Sequence, residues 1–279
     1  MARAGLRGIR RYPRMCVALY AVQLAMSVLA GIAVWGAMSA AFGDRALLEM
    51  ARRGDILALV TAVRDHAGLF AGAVWSALVM VAAYGALSWL TTAGLLSVLA
   101  RAPETRSETA AVFGAGGASS FAGFLRLWLW CLIPYAAAGL LLIMGAGFSL
   151  GDAGERLSYG ALFAHLLPAM APGLLLWWIV NTAVDFARVD LVTSERKRAL
   201  RALLRGFATV FTGWRPLPHA ASYYALWIAI SGAFVAGTAG VAISAGALLL
   251  LRQTVAILRY ASKLWLYGGQ VAYATPDRD

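Results

Sequence analysis

The chain has 279 residues, of which 61% are hydrophobic and only 13% are charged, and its mean hydropathy is +0.73. A soluble domain of this length requires far more polar surface, so the composition excludes an ordinary soluble globular protein. The net charge of +11 would favour nucleic acid as the partner of a soluble chain. Here the basic residues flank long apolar runs, and that placement favours anionic phospholipid head groups and no nucleic acid.

Long apolar runs dominate the sequence, and each is sufficient to cross a hydrocarbon core of about 30 Å, which requires roughly 20 helical residues. The runs are continuous, so they predict helices, which satisfy their own backbone hydrogen bonds in lipid. The predicted fold class is all-α, a polytopic membrane helix bundle with six transmembrane helices and short interfacial amphipathic helices, in a single domain over residues 1–279. The spans lie at about residues 15–42, 69–99, 121–150, 161–185, 220–240 and 242–267.

The first span follows a basic segment, residues 1–14, that contains five arginines. A basic start before an apolar run is also the outline of a signal peptide, but this run is about twice as long as a signal-peptide core, so we predict a retained span. Residues 44–66 mix balanced charges with apolar residues at helical spacing, and they predict one or two interfacial helices. Residues 100–120 are polar and rich in glycine, and we predict that they form a connection leading into the third span.

The most basic stretch of the chain lies between the fourth and fifth spans, at residues 186–219. Ser194 suits an N-cap and Glu195 favours the positive end of a helix, so we predict an interfacial helix at about residues 194–212. Its apolar face contains Leu200, Leu203, Leu204, Phe207 and Phe211. Its basic residues are predicted to contact lipid head groups, and they are Arg196, Lys197, Arg198, Arg201 and Arg205. The alternative is a helix that only anchors the topology and covers the bundle.

The distribution of Lys and Arg predicts the orientation of the spans. With the N-terminus inside, fifteen basic residues outside the spans fall on the inner side and five fall on the outer side. We therefore predict that both termini are cytoplasmic and that the protein lies in the cytoplasmic (inner) membrane. In this orientation the inner segments 100–120 and 186–219 are available to a protein partner.

Polar residues inside the predicted spans are candidate functional groups, because an ionisable side chain in lipid is costly unless it has a partner. Asp185 lies one helical turn before Arg188, and Arg259 in the sixth span lies at a comparable depth. Asp185 is therefore predicted to pair with one of these two arginines. We expect such a pair to be structural and to tie the fourth span to the sixth.

Arg252 and Gln253 lie near the centre of the sixth span, roughly 15 Å from either end. Together with Asn181 they form the candidate intramembrane polar site. The Arg252 side chain must either extend to the interface or line a polar cavity, and the sequence favours neither alternative.

The candidate signatures of enzymes and cofactor sites in this sequence are incomplete. His66, His165 and His219 are scattered, without the spacing of metal ligands. The segment 117–123, G-A-S-S-F-A-G, differs from the G-x-S-x-G of serine hydrolases. Residues 114–117 lack the Lys-Ser/Thr of a phosphate-binding loop. We therefore predict no catalytic residues, no metal and no cofactor.

Three segments carry a resemblance to a known group, namely F-G-A-G-G-A-S-S-F-A-G-F-L-R-L at 113–127, V-D-F-A-R-V-D-L-V at 184–192 and L-R-Q-T-V-A-I-L-R-Y at 251–260. In layout, the chain resembles a group of uncharacterised six-helix bacterial inner-membrane proteins. It is more distantly similar to the membrane domains of some glycerophosphodiester phosphodiesterases. The resemblance implies a cytoplasmic-membrane protein, and it assigns no catalytic residue, because the chain contains no phosphodiesterase catalytic domain.

Two functions follow as hypotheses. The first is a non-enzymatic accessory or scaffold component that interacts with anionic lipids or with a protein partner. The second is a transporter or permease subunit in which Arg252 and Gln253 line a polar path. A water-filled cavity that reaches Arg252 would favour transport, and a closed bundle would favour the scaffold.

Overall fold

The computed structural model describes residues 1–43, 49, 64, 67–153, 159–194, 198–238 and 244–275. Within these ranges the protein is all-helical, which confirms the predicted all-α class. Its helices are α1 (Ala2–Arg11), α2 (Pro13–Phe42), α3 (Ala67–Arg101), α4 (Arg106–Ala153), α5 (Tyr159–Thr193), α6 (Ala199–Thr212), α7 (Pro216–Thr238) and α8 (Ala245–Ala274). The predicted interfacial helix at 44–66 falls almost entirely outside the described residues.

Five helices in the described part of the chain are long and apolar enough to cross a membrane. The candidate spans are Pro13–Ile32, Val74–Arg101, Arg106–Phe148, Ala164–Thr193 and Pro216–Thr238. They overlap the first five predicted spans, and they are compatible with a multi-pass membrane protein. The helix at the predicted sixth span, α8, is not among the five and carries Arg252, Arg259 and Lys263. A total of six spans with cytoplasmic termini stays a prediction.

Large apolar side chains lie exposed on the surfaces of these helices. Examples are Trp75, Val81, Ile133, Ile143 and Leu250. In water such surfaces promote association, whereas in lipid they require no protein partner. The exposed apolar side chains are therefore compatible with a lipid environment, as are the length and apolar composition of the helices.

The chain divides into two compact units, residues 17–88 and residues 1–16 with 89–279. The first unit contains most of α2 and the N-terminal part of α3. The second unit contains α1, the C-terminal end of α3 and helices α4 to α8, and it holds every described residue of the predicted sites. The single domain over residues 1–279 stays a prediction.

Helix α5 is central to the second unit, since it packs against α4, α6, α7 and α8. Small residues permit the closest of these contacts. A Cβ atom on Gly206 of α6 would collide with the backbone oxygen of Ala183 in α5. Glycine at this position therefore lets the two backbones approach closely, as small residues commonly do between membrane helices.

Residues 100–120 do not form the connection that the sequence predicts, because α4 begins at Arg106. A capping box starts this helix. The Thr105 hydroxyl accepts a hydrogen bond from the Glu108 backbone N–H at 3.3 Å, and the Glu108 carboxylate accepts one from the Thr105 backbone N–H at 3.3 Å. This reciprocal pair satisfies N–H groups that would otherwise lack partners at the helix start.

The glycine-rich segment inside α4 forms a helix–helix contact with α3 and is not a flexible loop. A Cβ atom on Gly117 would lie 2.8 Å from the carbonyl oxygen of Leu90. Conversely, a Cβ atom on Gly94 of α3 would lie 2.6 Å from the carbonyl oxygen of Phe113. Both distances are too short for a side chain, so the glycines allow α3 and α4 to pack closely.

The boundary between α5 and α6 also differs from the prediction. Helix α5 continues to Thr193, beyond the predicted end of the fourth span at Asp185. The Ser194 hydroxyl donates to the carbonyl oxygen of Asp190 in the last turn of α5, and α6 begins only at Ala199. The predicted N-cap role of Ser194 is wrong, because its hydroxyl bonds backward to the preceding turn instead of forward.

Candidate functional site

A column of polar side chains runs along one face of α5. Asn181, Asp185 and Arg188 are spaced four and three residues apart, so they project from the same side of the helix. We call these three residues the polar column. Asp185 is buried, with 7% of its surface exposed. Because a buried carboxylate is costly without partners, the neighbours of the polar column decide what it can do.

An ion pair forms the part of the polar column that lies toward the C-terminal end of α5. Arg188 Nη1 donates to Asp185 Oδ1 at 2.9 Å, and the Tyr267 hydroxyl of α8 donates to the same oxygen at 3.4 Å. Arg259, the other predicted partner of Asp185, lies instead 5.4 Å from the centroid of the Trp227 ring. The structure thus brings Asp185 and Arg188 together, and Tyr267 attaches α8 to them.

A further cation of α8 lies beside this ion pair. Lys263 Nζ is 5.7 Å from the centroid of the Tyr267 ring, and the ammonium lies within electrostatic range of Asp185. Only 10% of the Asp185 side chain and 26% of the Arg188 side chain are exposed. Charges that are this far removed from solvent depend on one another, because losing one partner leaves the other uncompensated.

Asn181 is the N-terminal member of the polar column along α5, and it bridges two other helices. Its Oδ1 accepts a hydrogen bond from the Tyr135 hydroxyl of α4 at 2.9 Å. Its Nδ2 donates to the Tyr224 hydroxyl of α7. The Tyr224 ring packs in turn against Trp177 and Tyr223, with centroids 6.3 and 5.1 Å away. The amide of Asn181 therefore joins α4, α5 and α7 at one point.

A small cavity adjoins the polar column between α3, α4 and α5. Its volume is about 20 Å³, and Trp89, Cys131, Tyr135 and Arg188 contribute to its wall. This space suffices for about one water molecule, which needs roughly 10–15 Å³ and polar partners. The Tyr135 hydroxyl and the Arg188 guanidinium could supply such partners. The cavity can hold a structural water but not a metabolite.

Arg252 and Gln253 lie elsewhere on α8. Arg252 is exposed and Gln253 is half-buried. Arg252 precedes Lys263 by eleven residues, or about 16 Å along the helix. The structure does not place Arg252 beside the ion pair of the polar column. The two alternatives predicted for its side chain, extension to the interface and lining of a polar path, both stand.

Helix α6 has two apolar faces where the sequence predicts one. Ala202, Leu203, Gly206 and Val210 are buried against the rest of the second unit. The exposed apolar residues of this region are Leu200, Leu204, Phe211 and Trp214. Leu203 thus belongs to the protein interior and not to the predicted lipid-facing strip, because Gly206 allows this side of α6 to pack closely against α5.

The basic residues predicted to contact lipid are exposed where they are described, at Arg198, Arg201 and Arg205. Arg205 Nη1 also lies 3.4 Å from Asp190 Oδ1, in an ion pair whose arginine side chain is 64% exposed. Arg196 and Lys197 fall outside the described residues. The exposed cations border the exposed apolar strip of α6, which is the distribution of a helix at a membrane surface.

Three tyrosines that bind the polar column were not predicted from the sequence, namely Tyr135, Tyr224 and Tyr267. Tyrosine in membrane helices usually marks the interface, and no spacing rule joins residues on different helices. One signal was available in α8, where Lys263 and Tyr267 are four residues apart and share a face. A cation and a hydroxyl at that spacing indicate a polar contact with a neighbouring helix.

Across the described residues, these features define an all-helical protein with several helices long and apolar enough to cross a membrane. In its second unit, the Tyr267–Asp185 hydrogen bond links α8 to α5, and the amide of Asn181 links α4, α5 and α7. Comparison with protein-family models, with curated proteins and with solved structures finds no match to this chain. The chemistry of its own residues is therefore the basis for a function.

Proposed function

We propose that the protein is a bacterial inner-membrane protein with six spans and cytoplasmic termini, in which α8 is the sixth span. Two α8 cations lie over aromatic rings, Arg259 over Trp227 and Lys263 over Tyr267. Such contacts offset part of the cost of placing a cation among apolar helices. Helix α8 has 30 residues, or about 45 Å, which exceeds a hydrocarbon core of about 30 Å.

We infer that the protein is a non-enzymatic accessory or scaffold component that binds anionic phospholipids. One observation carries this inference, namely that the polar column is engaged by its own neighbours. Asp185 pairs with Arg188, Asn181 bridges two tyrosines, and the adjoining cavity holds about one water molecule. Polar groups engaged in this way hold helices together instead of receiving a substrate.

The lipid-binding part of this proposal rests on α6. Its exposed side combines Leu204 and Phe211, which are 60% and 70% exposed, with the cations Arg198 and Arg201. Apolar side chains of this kind enter the acyl boundary, while adjacent cations attract anionic head groups by about 1 kcal/mol each. A protein partner at the cytoplasmic face remains a second component of the proposal, since the same cations are open to an acidic surface.

The experiment is a lipid-retention assay on the full chain, purified in mild detergent. The amount of co-purified phosphatidylglycerol is measured by native mass spectrometry for the wild type and for Arg198→Gln/Arg201→Gln. We expect the α6 double variant to retain several-fold less phosphatidylglycerol, while Arg3→Gln/Arg10→Gln, which loses the same charge on α1, changes less. Equal retention in the wild type and the α6 variant would refute the role of α6.

The second candidate function, a transporter or permease subunit, is favoured by a different observation. Asp185, Arg188 and Lys263 place three ionisable groups among apolar helices, where such groups commonly mark ion or proton pathways. Proteoliposomes loaded with a pH-sensitive dye provide the test. Proton flux that Arg252→Leu abolishes would support a path near Arg252 and contradict the scaffold.

A further inference from the structure

Helix α8 carries all of its charged residues on one side. Arg252, Arg259 and Lys263 are separated by seven and four residues. At about 100° and 1.5 Å per residue, these positions fall within roughly 40° of one another around the helix and extend over about 16 Å along it. We call these three residues the α8 stripe. Its charges are all positive, and neither α7 nor α8 contains an acidic residue.

The C-terminal end of the α8 stripe packs against other helices. Lys263 Nζ lies 5.7 Å from the centroid of the Tyr267 ring, and its charge lies within electrostatic range of Asp185 on α5. The Asp185 carboxylate already forms an ion pair with Arg188 at 2.9 Å. Lys263 therefore shares one carboxylate with a second cation, and the stripe keeps excess positive charge at this end.

The rest of the α8 stripe faces outward. Arg259 is exposed, and its guanidinium lies 5.4 Å from the centroid of the Trp227 ring of α7. Arg252 is also exposed, and it forms no ion pair with any residue that the structure describes. The stripe thus passes from a half-buried cation at Lys263 to fully exposed cations on the outer surface of the helices.

Helices α7 and α8 run antiparallel along this surface. His219 Nε2 lies 3.2 Å from the carbonyl oxygen of Leu266, and eight residues further along α7 Trp227 meets Arg259, seven residues back along α8. If α8 is the sixth span, the stripe begins toward the inner interface and reaches the middle of the bilayer at Arg252. About 10 Å of apolar helix then separates Arg252 from the start of α8 at Ala245.

A row of exposed cations on a membrane helix does not lie in dry hydrocarbon, because the bilayer thins locally and water and head groups enter. Lipid phosphate is the anion that a membrane surface supplies, and guanidinium groups bind phosphate oxygens through paired hydrogen bonds. Neighbouring cations of the stripe are about 6 and 10 Å apart along the helix. A head group bound at one cation is therefore near the next, while its acyl chains stay in the hydrocarbon.

We propose that the α8 stripe guides the head groups of anionic phospholipids through the bilayer, so that the protein accelerates their passage between the two leaflets. This inference rests on the proposals that α8 is the sixth span and that the protein binds anionic lipid. It adds an activity that lipid binding at α6 does not supply. Phosphatidylglycerol is the preferred substrate over phosphatidylethanolamine, because the cations of the stripe repel the ethanolamine ammonium.

The test uses the full chain in vesicles of phosphatidylcholine and phosphatidylglycerol that contain a trace of phosphatidylglycerol labelled on its acyl chain with nitrobenzoxadiazole. Dithionite destroys the fluorescence of label in the outer leaflet, so any further loss reports lipid that has crossed from the inner leaflet. Entrapped nitrobenzoxadiazole-labelled glucose checks that dithionite does not enter. A second arm uses phosphatidylethanolamine with the same label.

Three double variants are compared with the wild type. Arg252→Gln/Arg259→Gln removes two charges of the stripe, Arg252→Lys/Arg259→Lys keeps them, and Arg3→Gln/Arg10→Gln removes the same charge from exposed positions on α1. We expect the first variant to transfer phosphatidylglycerol at least about tenfold more slowly and the other two to stay within about threefold of the wild type. Thermal denaturation checks folding. If the first variant is unfolded, Arg252→Gln alone replaces it, with an expected slowing of at least about threefold.

Four results would overturn the proposal. These are wild-type transfer no faster than in protein-free vesicles, equal rates in the wild type and the glutamine variant of the stripe, equal slowing in the α1 variant, and faster transfer of phosphatidylethanolamine than of phosphatidylglycerol. A dimer that the stripe variant loses, with transfer unchanged, would assign the stripe to a contact between two copies of the chain.

The lipid-retention assay separates failure of this inference from failure of the proposed function. If the stripe fails while Arg198→Gln/Arg201→Gln still loses phosphatidylglycerol, lipid binding by α6 stands without transfer. If the α6 variant also keeps its lipid, the proposed function fails as well. Active alkaline phosphatase fused after residue 279 would refute the sixth span, and with it the path along α8.

Discussion

Asp185 and Asp190 lie five residues apart on α5, and both form ion pairs with arginine, but in different surroundings. The Asp185–Arg188 pair is largely removed from solvent and is joined by Tyr267. The Asp190–Arg205 pair is longer, at 3.4 Å, and 64% of its arginine side chain is exposed. Exposed pairs contribute about 0–1 kcal/mol, whereas breaking a buried pair costs about 3–5 kcal/mol.

We therefore predict that Asp185→Asn lowers the free energy of unfolding by about 3 kcal/mol, because Arg188 then lacks its counter-ion. Thermal denaturation of the purified protein in detergent measures this as a clear fall in Tm. Asp190→Asn is the matched control on the same helix, with an expected loss below about 1 kcal/mol.

A double variant separates the ion pair from the space that it fills. Asp185→Leu/Arg188→Met replaces both charges with apolar side chains, and we expect it to recover most of the stability that Asp185→Asn loses. A Tm for Asp185→Asn equal to that of the wild type would contradict the structural role of the pair.

Among the elements, α6 illustrates how a small residue permits close packing against a neighbouring helix. Gly206 faces the backbone of Ala183, so Gly206→Leu must push α6 away from α5. We predict a loss of about 1–3 kcal/mol from this overpacking. Gly114→Leu in α4 is the control, because Gly114 is exposed and a Cβ atom there would meet nothing within 4 Å. The control should be neutral or slightly stabilising, since leucine favours helix more than glycine does; similar Tm values for the two variants would contradict the close contact.

The helices themselves were largely predictable from sequence, but their boundaries and contacts were not. Continuous apolar runs suffice to predict helices, because lipid leaves few other backbone conformations available. The start of α4 was also predictable, since Thr105 and Glu108 have the spacing of a capping box. The glycines that begin at Gly114 instead favoured the prediction of a connection. The bond from Tyr267 to Asp185 was not readable, because it joins residues 82 positions apart and depends on how α8 is rotated against α5.

For the whole molecule, the topology depends on whether α8 crosses the membrane. If the N-terminus is cytoplasmic, six spans return the C-terminus to the cytoplasm and five leave it outside. The excess of Lys and Arg on the predicted inner side favours six. The aromatic rings over Arg259 and Lys263 lower the cost of the sixth crossing, which leaves Arg252 as the exposed cation near the middle of the predicted span.

Alkaline phosphatase, which is active only outside the cytoplasm, and green fluorescent protein, which fluoresces inside, are fused after residues 60, 156 and 279. We expect phosphatase activity at 60 and 156 and fluorescence at 279. Active phosphatase at 279, with the other two fusions as expected, would mean that α8 does not cross. In that case, Arg252→Leu should shift the fusion at 279 toward fluorescence, because it removes a cation whose insertion costs about 2.5–3.5 kcal/mol at the centre of a span.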